Sequence, residues 1–101
     1  MKPVGEIIRE KREEKGLLLR HLAAEIDIDQ ALISKIERGE RKATREQIAK
    51  LADILKLNKD NLLIQYLSEK IAYEIADDDL ANEALKVAEE RVEYLKAHKK
   101  K

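Results

Sequence analysis

Six side chains between positions 30 and 38 are of types that can read the edges of nucleic acid bases: Gln30, Ala31, Leu32, Ser34, Lys35 and Arg38. Glutamine pairs bidentately with adenine, lysine or arginine with guanine, and the methyl groups of alanine or leucine meet the methyl of thymine. On a helical wheel of about 100° per residue, Ile33 and Ile36 define one face, and Ala31, Ser34, Lys35 and Arg38 the opposite one. Gln30 and Leu32 lie on the flanks. The short side chains of Ala31 and Ser34 let a backbone approach base edges closely. The same pattern also describes an ordinary solvated face, so the neighbouring elements must decide between the two.

Just beyond this segment, Glu40-Arg41-Lys42-Ala43-Thr44-Arg45 brings three cations to the start of another helix. Free N–H groups of a first turn beside basic side chains suit a phosphate. A charge run of this kind is also a common form of solvated surface.

The elements that must position these residues read as helices throughout. Pro3 suits a first turn, and Val4, Ile7 and Ile8 open an amphipathic helix that stops at Gly16. Leu19, Leu22, Ala23 and Ile26 form the apolar stripe of a second, short helix. Asp27-Ile28-Asp29 is a tight connection, and the Asp29 carboxylate is expected to cap a third helix that ends at Gly39. Thr44-Arg45-Glu46-Gln47 is a capping box. It starts a fourth helix with Ile48, Leu51, Ala52 and Leu55 inward. Asn58 is expected to cap a fifth, long helix, in which Leu63, Leu67, Ile71 and Ile75 repeat every four residues. Asp77-Asp78-Asp79 predicts the start of a sixth, with Leu80, Ala84, Leu85, Ala88, Val92 and Leu95 inward. No strand pattern or internal repeat accompanies them.

Composition narrows the function. With three tyrosines as the only aromatics among 101 residues, the core must be aliphatic and small. The absence of cysteine excludes disulfides and thiolate zinc sites. There is no signal peptide and no apolar run of membrane-spanning length, so a cytoplasmic protein without a membrane partner is expected. His21 and His98 are far apart and lack carboxylates at ligand spacing, which argues against a metal site. Ser34 has no base to activate it, and there is no glycine-rich phosphate loop. The expectation is a protein that is not an enzyme and has no cofactor or small-molecule ligand. The net charge of zero hides an asymmetry: residues 1–64 carry 14 basic and 12 acidic side chains, and residues 65–98 carry 4 and 9. Contact with duplex DNA therefore belongs to the first segment.

A helix, a connection of about three residues and a second helix is the order of a helix-turn-helix. The stretch GLLLRHLAAEIDIDQALISKIERGERKAT resembles the DNA-binding domain of the phage repressor and Cro family, the xenobiotic-response-element regulators. The family's Gly, Leu, Leu-Ala and Ile-Ser-Lys-Ile-Glu-x-Gly-x-Arg are matched by Gly16, Leu17, Leu22-Ala23 and Ile33 to Arg41. The resemblance covers roughly residues 4–64. It implies an all-α, lambda-repressor-like five-helix domain, here with an extended fifth helix and an additional C-terminal sixth. It also implies operator binding as a homodimer and transcription control.

Within such a domain the base contacts are expected from Gln30, Ala31, Leu32, Ser34, Lys35 and Arg38, and the phosphate contacts from Arg20, Arg41, Lys42 and Arg45. Carried over from the family, the resemblance implies a buried ion pair between Arg12 and Glu37. The chain departs from the family where Leu18 and Leu19 replace a Ser-Gln pair that caps the second helix and holds a phosphate. Lys11 replaces a buried leucine, Asp27 a turn glycine, and acidic Glu40 stands where a cation is common.

The expected organisation is a DNA-binding domain at 1–64, a helical extension at 65–98 and a basic tail at 99–101. The extension either completes the monomer's core or forms a dimer surface. Its apolar stripe is long for a helix that covers a small domain, and a repressor-like domain needs a partner to span two half-sites. We therefore expect dimerisation through Leu67, Ile71, Ile75, Leu80, Leu85, Val92 and Leu95. No segment reads as an effector domain, so control is expected through concentration and dimerisation on an inverted-repeat operator. An autoregulator of this kind is a phage repressor, a restriction–modification controller protein or an antitoxin. The alternative is a protein-interaction module, such as an antitoxin, whose helical extension binds a protein partner.

Overall fold

The computed structural model describes residues 1–99, and among these it contains six α-helices and no strand. They are α1 (Val4–Glu14), α2 (Leu19–Ile26), α3 (Gln30–Glu37), α4 (Arg45–Leu55), α5 (Lys59–Ile75) and α6 (Ala81–Ala97). The chain divides into two compact units, one of Met1–Lys70 and one from Ile71 onward. Of the basic tail expected at 99–101, all but Lys99 lies outside the described residues.

In the first unit, α1 to α4 and the beginning of α5 enclose an aliphatic core. Its centre is Ile8, Leu22 and Ile33, one from each of the first three helices, with Ile48, Leu51 and Leu55 from α4, each almost wholly removed from water. Burial of a side chain of this size stabilises by about 1.5–3 kcal/mol. Ile7, Leu19 and Leu32 pack against the core from its margin.

The helix ends use the chemistry expected of them in most places. Gly16 and Gly39 take positive φ, 71° and 78°. After α3, the Gly39 N–H donates to Ile36 O and the Glu40 N–H to Lys35 O, which closes the last turn. At α4 the Thr44 hydroxyl accepts from the Gln47 N–H at 3.1 Å, and the Gln47 side chain accepts from the Thr44 N–H at 3.0 Å. Thr44→Ala is expected to cost about 1 kcal/mol, seen as a lower urea midpoint with an unchanged slope. Asn58 Oδ1 accepts from the Asn61 N–H in the first turn of α5. The start of α1 is held differently. Pro3 offers no side-chain acceptor, and the Val4 N–H donates at 2.6 Å to the carboxylate of Glu69, on α5.

Two elements carry the apolar stripes of the helical extension. In α5 the buried residues are Leu62, Leu63 and Tyr66, while Leu67 and Ile71 are exposed and Ile75 is half-buried. Tyr66, three and four residues beyond Leu63 and Leu62, follows the true helical spacing, and Lys70 lies over its ring at 5.4 Å.

The other is α6, whose start differs from the sequence expectation. It begins at Ala81 rather than at the aspartates: Asp78 Oδ1 accepts from the Leu80 N–H at 2.8 Å, a local turn that holds Leu80 outside the helix. No α6 residue is buried. Leu80, Leu85, Val92 and Leu95, read as inward, are all exposed in the single chain, Leu80 and Leu95 to about two thirds.

Candidate nucleic-acid interface

The candidate site is built on how rigidly α3 is held. The connection from α2 turns at Asp27, which takes the left-handed conformation with φ 59° and ψ 48°, available to an aspartate at little cost. The Ile28 N–H then donates back to Ala23 O. Asp29 sits at the N-cap of α3, and its carbonyl accepts from the N–H groups of Leu32 and Ile33. Its carboxylate does not cap the helix, contrary to the sequence expectation. The side chain is exposed.

Two contacts clamp α3 against α1. The Arg12 guanidinium donates from Nε and Nη2 to the two oxygens of Glu37, at 2.7 and 3.1 Å, and from Nη1 to Leu17 O at 2.8 Å. Arg12 and Glu37 are the two buried charged residues among those described. The hydrogen bond to Glu37 raises the Arg12 pKa above its usual value, outweighing the opposing effect of burial. One fork therefore pins the end of α3 to α1 and to the loop before α2.

The other contact is a backbone approach at Gly5. A Cβ there would lie 2.3 Å from Ile36 O and 2.6 Å from Glu37 O. The sequence carries no sign of this beyond a glycine one residue inside a helix. The residue's importance comes from the surface that packs on it.

With its inner face fixed, α3 turns the opposite face to solvent. Gln30, Ala31, Lys35 and Arg38 are exposed, and Ser34 is half-buried. Leu32 is half-buried and packs on the core, so only part of its surface remains for a ligand. Two members of the face are joined. Arg38 donates from Nε and Nη2 to Glu40 at 3.0 and 3.1 Å, and from Nη1 to Ser34 Oγ. The hydrogen bond from Arg38 is the main cause that holds the Glu40 carboxyl below its usual pKa.

The residues expected to hold phosphate are all exposed. Arg41, Lys42 and Arg45 flank the start of α4, and Arg20 lies in the first turn of α2. At α4 the capping box uses the Gln47 N–H, while those of Arg45 and Glu46 have no acceptor within the helix. At α2, Leu18 leaves the first turn without a side-chain acceptor, and His21 Nδ1 accepts from the Leu18 N–H at 3.2 Å. Leu19 is turned towards the core. Among the described residues no cluster of acidic, histidine or cysteine side chains could hold a metal ion. His98 instead stacks on Tyr94 at 4.0 Å. No helix of the described residues is long and apolar enough to cross a membrane.

A short helix, a left-handed turn and a second helix clamped by its inner face form a helix-turn-helix, and the chain belongs to the Cro/C1-type helix-turn-helix family of DNA-binding regulators, whose sequence model matches residues 8–62. It is similar to the uncharacterized HTH-type transcriptional regulator RghRB of Bacillus subtilis (strain 168), with 41% identity over 64 residues, 62% of this chain. It spans 46% of that relative's length. Two crystal structures of the clp gene regulator ClgR from Corynebacterium glutamicum are similar in fold. One is 29% identical, with a TM-score of 0.57 over 78% of this chain and 83% of that one. The other is 27% identical, with a TM-score of 0.55 over 65% and 86%. A structure of the SinR–SinI protein complex covers 94% of this chain and 99% of its own at a TM-score of 0.54 and 20% identity, a likeness of fold alone.

Proposed function

We propose that this protein is a sequence-specific transcription regulator that binds an inverted-repeat operator as a homodimer. The observation that carries the reading is the outer face of α3. It presents Gln30, Ala31, Lys35 and Arg38 to solvent, while Arg12, Glu37 and Gly5 fix the opposite side. In this reading α3 enters the major groove, where Gln30, Ala31, Leu32, Ser34, Lys35 and Arg38 meet bases. Arg20, Arg41, Lys42 and Arg45 hold the flanking phosphates.

Dimerisation is proposed through the helical extension. Leu67, Ile71, Leu80, Leu85, Val92 and Leu95 are exposed in the single chain and Ile75 is half-buried, a larger run of exposed apolar side chains than a small helix-turn-helix domain needs. A monomer–dimer equilibrium makes operator occupancy rise steeply with protein concentration, the behaviour an autoregulator requires. If the same helices instead bind a different protein, the chain acts as an interaction module, such as an antitoxin.

Salt dependence of binding to labelled duplex separates these readings. A regulator that neutralises several phosphates loses orders of magnitude in affinity between low and moderate salt, whereas an apolar helix-in-groove complex does not. Lys35→Ala is expected to relax preference at one base position at a cost of about 1–3 kcal/mol. Arg41→Ala is expected to weaken all sequences alike and reduce the salt slope by about 1. Lys35→Ala and Arg41→Ala variants that both bind every duplex as the parent does would remove this assignment of the interface.

A further inference from the structure

Arg38 is the cation of α3's outer face with the greatest capacity for base recognition, yet its fork is largely engaged within the protein. A guanidinium carries five N–H donors, one on Nε and two on each terminal nitrogen. Three are committed here: Nε and one on Nη2 to the two oxygens of Glu40, and one on Nη1 to Ser34 Oγ. One donor is left on each terminal nitrogen. A guanine presents two acceptors in the major groove, O6 and N7. Glu40 occupies a position where its charge would also oppose a phosphate, and its N–H is fixed to Lys35 O at the end of α3. The carboxylate is therefore tied by its own backbone to the helix that would enter the groove.

We propose that Glu40 is the residue that makes Arg38 selective for guanine. It orients the guanidinium so that the two remaining donors face a base edge, and it keeps the same cation from binding a phosphate of any sequence. Glu40 touches no base in this proposal and acts as a positioning residue for Arg38, with Ser34 as the second support. The inference rests on the proposed reading of α3 as the recognition helix, and it adds that a carboxylate in the basic face raises specificity while lowering overall attraction to DNA.

The test compares the parent chain with Glu40→Gln, Arg38→Ala and the double variant. Each is measured on duplexes selected by the parent from a random pool, on the same duplexes with single guanines replaced, and on an unrelated duplex. Thermal unfolding confirms that each variant is folded; the side chains of Arg38 and Glu40 are at least half exposed, so little change is expected. Glu40→Gln is expected to bind the unrelated duplex more tightly and with a steeper salt dependence. It is also expected to lose about tenfold or more in discrimination at one guanine, the scale of one bidentate base contact. Arg38→Ala is expected to lose discrimination at that same guanine, and adding Glu40→Gln to it should cause no further loss. Unchanged discrimination in Glu40→Gln overturns the proposal, as does a loss of equal size in the Arg38→Ala background. If the folded parent selects no duplex at all, the reading of α3 as a recognition helix falls and this inference falls with it; binding that is indifferent to Glu40 removes the inference alone.

Discussion

Arg12→Ala is expected to lower the stability of the first unit by about 3–5 kcal/mol, because it leaves the Glu37 carboxylate buried without its partner. For a unit of this size each kcal/mol shifts the melting temperature by roughly 4–8 °C, so a fall of more than about 10 °C is expected. The side chains involved are 10% and 4% exposed, and the pair has hydrogen bonds on both edges of the fork. That separates it from the other ion pairs among the described residues, such as Lys2–Glu10 and Lys59–Asp53, whose side chains are open to solvent. Surface pairs of that kind are worth at most about 1 kcal/mol. A double variant that replaces Arg12 with methionine and Glu37 with leucine removes both charges together and is expected to recover most of the loss. If Arg12→Ala costs less than about 1 kcal/mol by urea unfolding, α3 is not held by this pair.

Gly5→Ala is expected to destabilise the protein, although the same change in an open helix is favourable. Alanine normally gains about 0.5–1 kcal/mol over glycine in a helix interior. Here the added methyl would sit 2.3 Å from Ile36 O and 2.6 Å from Glu37 O. Both are backbone atoms, which cannot swing aside as a side-chain end would, so α1 and the end of α3 must separate. Overpacking of this kind costs about 1–3 kcal/mol and sometimes more. The displaced element is the one proposed to enter the groove, so operator affinity should fall further than the loss of folded protein explains. Unfolding curves and DNA titrations at a temperature where the variant remains folded check both parts. A variant as stable as the parent would contradict the close packing of α1 on α3.

What was legible in the sequence follows the range of the forces involved. Local periodicity and end chemistry identified six helices, the Thr44–Gln47 box and the Asn58 cap, while the turn at Asp27 was expected from the family, which has a glycine there. Each depends on residues within a few positions of one another. Leu67, Ile71 and Ile75 of α5 are not buried in the single chain, whereas Tyr66 is, a residue that the four-residue repeat does not include. Asp29 has the right type for a cap, but its carboxylate makes no capping hydrogen bond. The Asp77–Asp79 run attracted a helix start on charge alone, whereas Asp78 closes a turn and α6 begins after Leu80.

The long-range contacts were least visible. Nothing near Val4 indicates that Glu69 will accept its N–H, and nothing near Gly5 indicates a carbonyl pressed on it. The Arg12–Glu37 pair, twenty-five residues apart, was expected only because the chain resembles a family in which those positions are joined. On the candidate interface, exposure of Gln30, Ala31, Lys35 and Arg38 followed from the wheel. The partial burial of Leu32 and the engagement of Arg38 by Glu40 required coordinates, since an acidic residue two positions beyond an arginine has no preferred meaning in a sequence.

The central claim is that α3 reads DNA as one half of a two-fold dimer. The most direct measurement is selection of binding sites from a random duplex pool at about 0.1 M salt, where surface charges act over only about 10 Å. A two-fold symmetric motif with half-sites about one helical turn apart is the predicted result. Recovery of no motif by protein shown to be folded would contradict the account, and would direct attention to the exposed apolar side chains of α6 as a surface for another protein.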